Sequence, residues 1–263
     1  MINYDEKRKW FDEYLKDYIN EANEVTKYNI DLKIDHTYKT VQAMEAIASD
    51  IGLSGESFEL ARIIALYHDV GRFPQLKEFG HFNDKLSINH AEKSVEVLKE
   101  CNVLEDFDEH TKNVVYQAIL NHNKNSIPEE EKDEDVILYS KLIRDADKVD
   151  IYRVMIEKLL NAKDDVKETL KAGRVDSLEI TDHVYDMIMS DKKMKISDIK
   201  TLGDNYMWNI SWAAYDMNFD IAVKIILEKD YLKQMLAFLE GADKSEELYN
   251  HIIEVIKERL KEE

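Results

Sequence analysis

The chain is poor in breakers and in sulfur: two prolines, seven glycines and one cysteine among 263 residues. So few prolines and glycines exclude a collagen, a loop-rich sandwich and a disordered linker protein, and leave helix as the expected fabric. The single cysteine, Cys101, excludes an internal disulfide and a cysteine-rich zinc module. Its neighbours place it in a helical pattern as a small buried or half-buried side chain, in keeping with a reducing compartment. No window approaches the roughly 18 uninterrupted apolar residues of a membrane span. The N-terminus, MINYDEKRKWFDEYL, is charged where a signal peptide is hydrophobic. A cytoplasmic protein with no membrane partner is expected. Positive charge is scarce as well: 36 basic against 55 acidic side chains leave a formal charge of -19. That charge repels a phosphate polymer and forfeits counterion release, so no nucleic-acid polymer is expected as a partner.

What the chain does contain is 44% hydrophobic and 35% charged residues, enough to build a substantial core and to solvate it. Apolar residues recur at three and four positions almost throughout, as in Trp10, Phe11, Tyr14, Leu15 and Tyr18. The spacing predicts helices over 5–27, 33–50, 56–69, 88–101, 109–122, 134–160, 164–172, 177–190, 204–216, 219–228, 230–239 and 245–261. Ser54 and Ser57 are candidate caps of the third, Gly71 and Pro74 its terminators, and Pro128 beside Glu129 marks a solvated loop. No repeat or low-complexity stretch is present. The polar segment from Asn161 to Arg174 is the best candidate seam in an expected single all-α domain over 1–263 with a C-terminal helical extension. The stretch Tyr206, Trp208, Trp212, Tyr215 and Phe219 reads as packing of that extension, with base stacking as the alternative.

Several apolar helix faces end in polar groups. Phe58, Ala61 and Ala65 lead into His68-Asp69; Val115, Ala118 and Ile119 lead into His122; Val136, Tyr139 and Ile143 lead into Asp147. His36 and His90 begin faces that continue Thr40, Ala43, Ile47 and Ala91, Ser94, Val95, Leu98. Five helices can thus deliver one polar group or pair each to a common centre. Burying four imidazoles and two carboxylates without a counter-charge costs several kcal/mol. Divalent metal ions answer that cost, and nitrogen and oxygen ligands without thiolate suit manganese, iron, cobalt, nickel or zinc. Two such ions bring four positive charges against two from the aspartates, leaving a site that attracts an anion.

The order His36, His68-Asp69, His90, His122, Asp147 resembles that of the HD-domain superfamily of metal-dependent phosphohydrolases. The supporting strings are ALYHDVGRFPQ, SINHAEKSVEVL, AILNHNK and LIRDADKVDIYR. The resemblance covers roughly residues 30 to 160 and implies a helical bundle of the HD-domain, phosphodiesterase-like type, with about 161–263 as its extension. It implies that His36, His68, Asp69 and Asp147 hold one ion and that Asp69, His90 and His122 hold the other, Asp69 bridging. His68 and Asp69 are thereby the candidate catalytic pair, with a bridging water as nucleophile. Glu92 or Asp150 is the candidate acceptor for a ligand imidazole. Where the HD-GYP class shows two adjacent histidines this chain has Asn121-His122-Asn123, and the GYP tripeptide is missing, so cyclic dinucleotide cleavage is not expected.

Arg72, after the metal-binding turn, is the best phosphate-contact candidate, with an interhelical salt bridge or helix cap as its alternative. Lys148 is the second, against a solvated surface charge. His81 lies in the stretch from Glu78 to Asp84, where a substrate lid is expected, and is either a substrate contact or a plain loop histidine. His110, His183 and His251 read as exposed. The resulting expectation is a phosphohydrolase acting on a phosphate mono- or diester of a small molecule, such as a nucleotide, with two divalent ions. A di-iron oxygenase on the same scaffold and a non-catalytic nucleotide-binding regulator are the alternatives. Amphipathic outer helices permit a homodimer.

Overall fold

Where the sequence offers no breaker, the helices run long. The computed structural model describes residues 2–160 and 174–261, and the expected helix over 164–172 lies outside them. The chain divides into two compact units, Met1–Asp150 and Ile151–Glu263. The first contains α1 (Tyr4–Glu21), α2 (Glu24–Asp50), α3 (Gly55–Tyr67), α4 (Arg72–Phe79), α5 (His90–Glu100) and α6 (Glu109–His122). It also contains most of α7 (Glu134–Leu160), which continues past the unit boundary. The second has α8 (Asp182–Met189), α9 (Leu202–Tyr215), α10 (Asp220–Glu228), α11 (Tyr231–Leu236) and α12 (Ser245–Arg259). Among the described residues there is no strand, and the sole β-type pairing is an isolated bridge between Val175 and Thr201. No helix there is long and apolar enough to cross a membrane.

Side-chain caps decide several starts. Asn3, Asn89, Asp108 and Thr181 each accept backbone N–H groups of the turn that follows. The start of α2 differs from the expected break between 27 and 33. Asn23 and Thr26 exchange side-chain-to-backbone hydrogen bonds of 2.9 Å each, a reciprocal start signal three residues apart, and the helix then runs unbroken to Asp50. Ser54 stands at the N-cap of α3 but its hydroxyl caps nothing. Pro74 does not end that helix; it lies in the first turn of α4, where a missing N–H costs no hydrogen bond. The α4 helix ends at Gly80 in the left-handed region, φ 75. Cys101, expected to be at least half-buried, is exposed beyond the end of α5.

In the first unit α2 and α1 both pack on α3, and α5 packs on α6. Ala43, Ile47, Ala61, Ala65, Val115, Ala118, Ile119, Val136, Tyr139 and Ile143, the apolar stripes read from the sequence, are all buried, while Phe58 is only half-buried. In the second unit α8 begins later than expected, because 177–180 is not helical and its carbonyls accept from the start of α9, from Gly203 N–H at Ser177 and the Thr201 hydroxyl at Glu179. There the buried Asp204 accepts N–H groups of Thr181 and Lys200 at 2.8 and 3.0 Å. Trp208 and Trp212 meet edge to face at 5.3 Å, and Tyr152 stacks on Tyr231. Both tryptophans are half-buried.

One close approach sets the geometry around His68. A Cβ on Gly71 would lie 2.4 Å from the backbone nitrogen of Ser94 and 2.5 Å from the carbonyl oxygen of His90. The φ of Gly71 is an ordinary -69, so space and not backbone freedom requires the glycine. The Ser94 hydroxyl completes the joint, accepting the Gly71 N–H at 2.8 Å and donating to the His68 carbonyl at 2.9 Å. Gly71→Ala should therefore lower stability by about 1–3 kcal/mol, the usual cost of overpacking. Urea unfolding measures it, and an unchanged midpoint would mean that α5 yields without cost.

Candidate metal centre

Helix ends deliver most of the polar groups. His68 follows the last residue of α3 and Asp69 lies in the next turn; His90 opens α5 and His122 closes α6; His36 and Asp147 lie within α2 and α7. All four histidines and Asp69 are buried, and the Asp147 side chain is 13% exposed. The structure brings the six expected residues onto one centre around Asp69. Its Oδ2 lies 3.7 Å from His36 Nε2 and 3.6 Å from His68 Nε2. Its Oδ1 lies 3.3 Å from His90 Nε2 and 3.8 Å from His122 Nε2. Asp147 Oδ1 stands 3.1 and 3.7 Å from Nε2 of His36 and His68. Within this cluster, the ligand atoms of His36, His68 and Asp147, and those of His68, Asp69 and His122, lie within 4.8 Å of one another.

Every imidazole turns its Nε2 inward because its Nδ1 is engaged outward. His68 Nδ1 donates to the Ala65 carbonyl at 2.8 Å and His122 Nδ1 to the Ile119 carbonyl at 2.6 Å. His36 Nδ1 meets Asp150 Oδ2 at 2.7 Å, and His90 Nδ1 meets Asp84 Oδ2 at 2.5 Å. A carbonyl accepts only, so the proton of His68 and His122 resides on Nδ1 and the lone pair on Nε2 faces the centre. Asp150 is one of the two acceptors expected from the sequence. Glu92 is not the other: it is exposed and bonded to Asn89, and Asp84 takes that place.

The electrostatics mark a site built for cations. Burial works against a charge on Asp69, yet Lys33, His68, His90 and Arg72 hold its carboxyl well below the usual range. Asp147 is likewise held low against burial by His36 and His68. On His36 burial and Lys33 oppose protonation, and the carboxylates of Asp147 and Asp150 outweigh them, raising its pKa. His90 is lowered by burial and by Arg72. Two buried atoms, His68 Nε2 and Asp69 Oδ1, have no hydrogen-bond partner. A lone pair and a carboxylate oxygen left without donors inside such a cluster fit divalent metal ions, and the nitrogen and oxygen donor set matches the transition-metal group above.

The rim holds two cations. Lys33, one helical turn before His36, places Nζ 2.6 Å from Asp69 Oδ2; sequence reasoning passed over it, although a position three residues from a ligand on the same helix face was the available signal. Arg72 is engaged within the first unit, donating to Gln75 Oε1, the Phe82 carbonyl and Asp84 Oδ1 at 2.7–2.8 Å, with Nε 3.5 Å from Asp69 Oδ1. Both stand over the Phe82 ring, at 5.6 and 5.8 Å. Lys148 is buried, not a solvated surface charge. His81 accepts the Asn83 N–H at 3.2 Å within its own loop. His110 and His183 are exposed, whereas His251 is half-buried and 3.0 Å from Asp191.

Burial, with His90 and His68 alongside, pushes the His122 imidazole from 6.5 down to about 3. Folding keeps it neutral, so its contribution is present above the unfolded value and is lost as the pH falls from 6.5 toward 3, by up to about 1.4 kcal/mol per pH unit. Metal-free wild-type protein should lose more stability over that window than His122→Asn, as denaturant unfolding at stepped pH would measure. Parallel pH profiles would contradict a neutral buried His122.

In comparison with known families, the model of the HD domain matches residues 34–152. No curated protein and no solved structure matches the chain. The matched segment contains all six ligand candidates together with Asp84 and Asp150, and Lys33 directly precedes it. Residues 34–152, the segment that carries the site, thus match the HD domain.

Proposed function

We propose that this chain is a dinuclear metal-dependent phosphohydrolase that splits a phosphate mono- or diester of a small molecule with water, nucleotides being within that class. HD domains are typical of metal-dependent phosphohydrolases, which supports this reaction class. The observation that carries the two-ion reading is the division of Asp69: Oδ2 faces His36 and His68, and Oδ1 faces His90 and His122. On this reading His36, His68, Asp69 and Asp147 would hold one ion and Asp69, His90 and His122 the other. When bound, the ions would supply a water acidified toward neutral pH and positive charge for the phosphoryl oxygens.

The chain's own residues do the rest. The Nδ1 partners of the four histidines fix each ring, so that the ligand atoms need little rearrangement. Lys33 and Arg72, both against Asp69, place fixed positive charge where a phosphoryl group would meet the centre. Asp84 ties Arg72 and His90 together through its two oxygens, so guanidinium and imidazole hold a constant spacing. Lys148 and His81 are the remaining substrate-contact candidates. An anionic small molecule suits this local charge better than the acidic surface suits a polymer.

Protein loaded with manganese or iron should release phosphate from a panel of phosphorylated metabolites or split an aryl phosphodiester. Asp69→Ala should fall to background, and Lys33→Met should lower kcat/KM by about 10²–10³-fold, the scale of one lost charge-stabilising donor. Full activity of the Asp69 variant would refute the assignment. Oxygen uptake with a polyol or phosphonate by iron-loaded protein, without hydrolysis, would favour the oxygenase alternative instead.

A further inference from the structure

Helix α6 ends at His122, and a helix end leaves carbonyls that need donors. One buried side chain supplies them. Arg144, 4% exposed within α7, donates from one terminal nitrogen to the carbonyls of Asn121 (2.8 Å), His122 (3.4 Å) and Lys124, and from the other to Asn125 (3.0 Å). One turn earlier on the same helix, Ser140 accepts from the Asn121 side chain at 3.1 Å. The turn 121–125 is thereby riveted to α7, three residues before Asp147. The rivet reaches further: Asn123 Nδ2 donates at 2.9 Å to Asn89 Oδ1, and Asn89 is the N-cap of the helix that opens with His90. The Nε2 atoms of His90 and His122 stand 3.0 Å apart.

We propose that Arg144 is the positioning residue for the second ion: its fork fixes the turn that carries His122 and, through Asn123 and Asn89, the helix start that carries His90. The inference rests on the two-ion reading above. The hydrogen bonds of this fork go to the turn that carries His122, so its loss should weaken that half of the centre first. A lysine cannot reproduce it, because a single ammonium lacks the planar spread that serves four carbonyls on two nitrogens.

Manganese binding to the full chain tests this, followed by calorimetric titration and by electron paramagnetic resonance, which separates an isolated ion from an exchange-coupled pair. In wild-type protein two ions should bind and give the coupled signal. Arg144→Gln should weaken the second ion by about 10–100-fold, the range for lost outer-shell support, and leave the isolated-ion signal with first-ion affinity at the wild-type level. Arg144→Lys should fall between, and Asn123→Ala, which spares the buried guanidinium, should weaken the same ion. Unaltered second-ion affinity in folded Arg144→Gln, or equal loss of both ions in all three variants, would overturn the assignment while leaving a two-ion wild-type centre intact. A wild-type chain that takes up a single ion would overturn the two-ion reading itself, and this inference with it.

Discussion

A carboxylate enclosed by four imidazoles is the constraint on which the first unit depends. Removing Asp69 from water costs several kcal/mol unless positive charge or hydrogen-bond donors meet it. In the metal-free chain Lys33 and Arg72 answer part of that demand, and the carboxylates of Asp147 and Asp150 raise the pKa of His36 against its burial. They answer it incompletely, as the unpartnered His68 Nε2 and Asp69 Oδ1 attest. Divalent cations would complete the balance, and on the proposed reading their excess of positive charge would favour an anionic substrate in a protein that is acidic elsewhere.

The fold meets this constraint with helix ends and short-range locks. His68, His90 and His122 stand where helices stop or start, which lets rigid elements aim side chains at one point without crossing it. Two of the four rings are fixed by carbonyls three residues back in their own helices, so only His36 and His90 require a carboxylate from elsewhere. Close packing at Gly71 and the Ser94 hydroxyl set the spacing between the His68 turn and α5, while Arg144 sets that between α6 and α7. The long helix α7, carrying Ser140, Arg144, Asp147 and Asp150, supplies partners to the end of α6, to His36 in α2 and to His68 after α3.

Much of this was legible in the sequence, and the reason is periodicity. Apolar stripes at helical spacing marked the core, and polar atoms at the ends of those stripes marked the centre, because a buried histidine or aspartate violates the pattern visibly. Local chemistry was harder to read. The Asn23 and Thr26 pair that starts α2 falls inside the helix expected over 5–27, where two short polar residues are easily taken for part of a solvated face, and Pro74, expected as a stop, is a tolerated start in a first turn. Partners fixed by tertiary contact left no periodic trace: Asp84 against His90 and Arg144 against four carbonyls are charged residues whose spacing suits a solvated face equally well. Cys101 shows the converse, a helical pattern that ends one residue before it.

Diffraction from metal-loaded crystals at the absorption edge of the bound element examines the two-ion centre most directly. Two anomalous peaks are predicted, one beside Asp69 Oδ2 among His36, His68 and Asp147, the other beside Oδ1 between His90 and His122. A single peak, or none within reach of that carboxylate, would contradict the account.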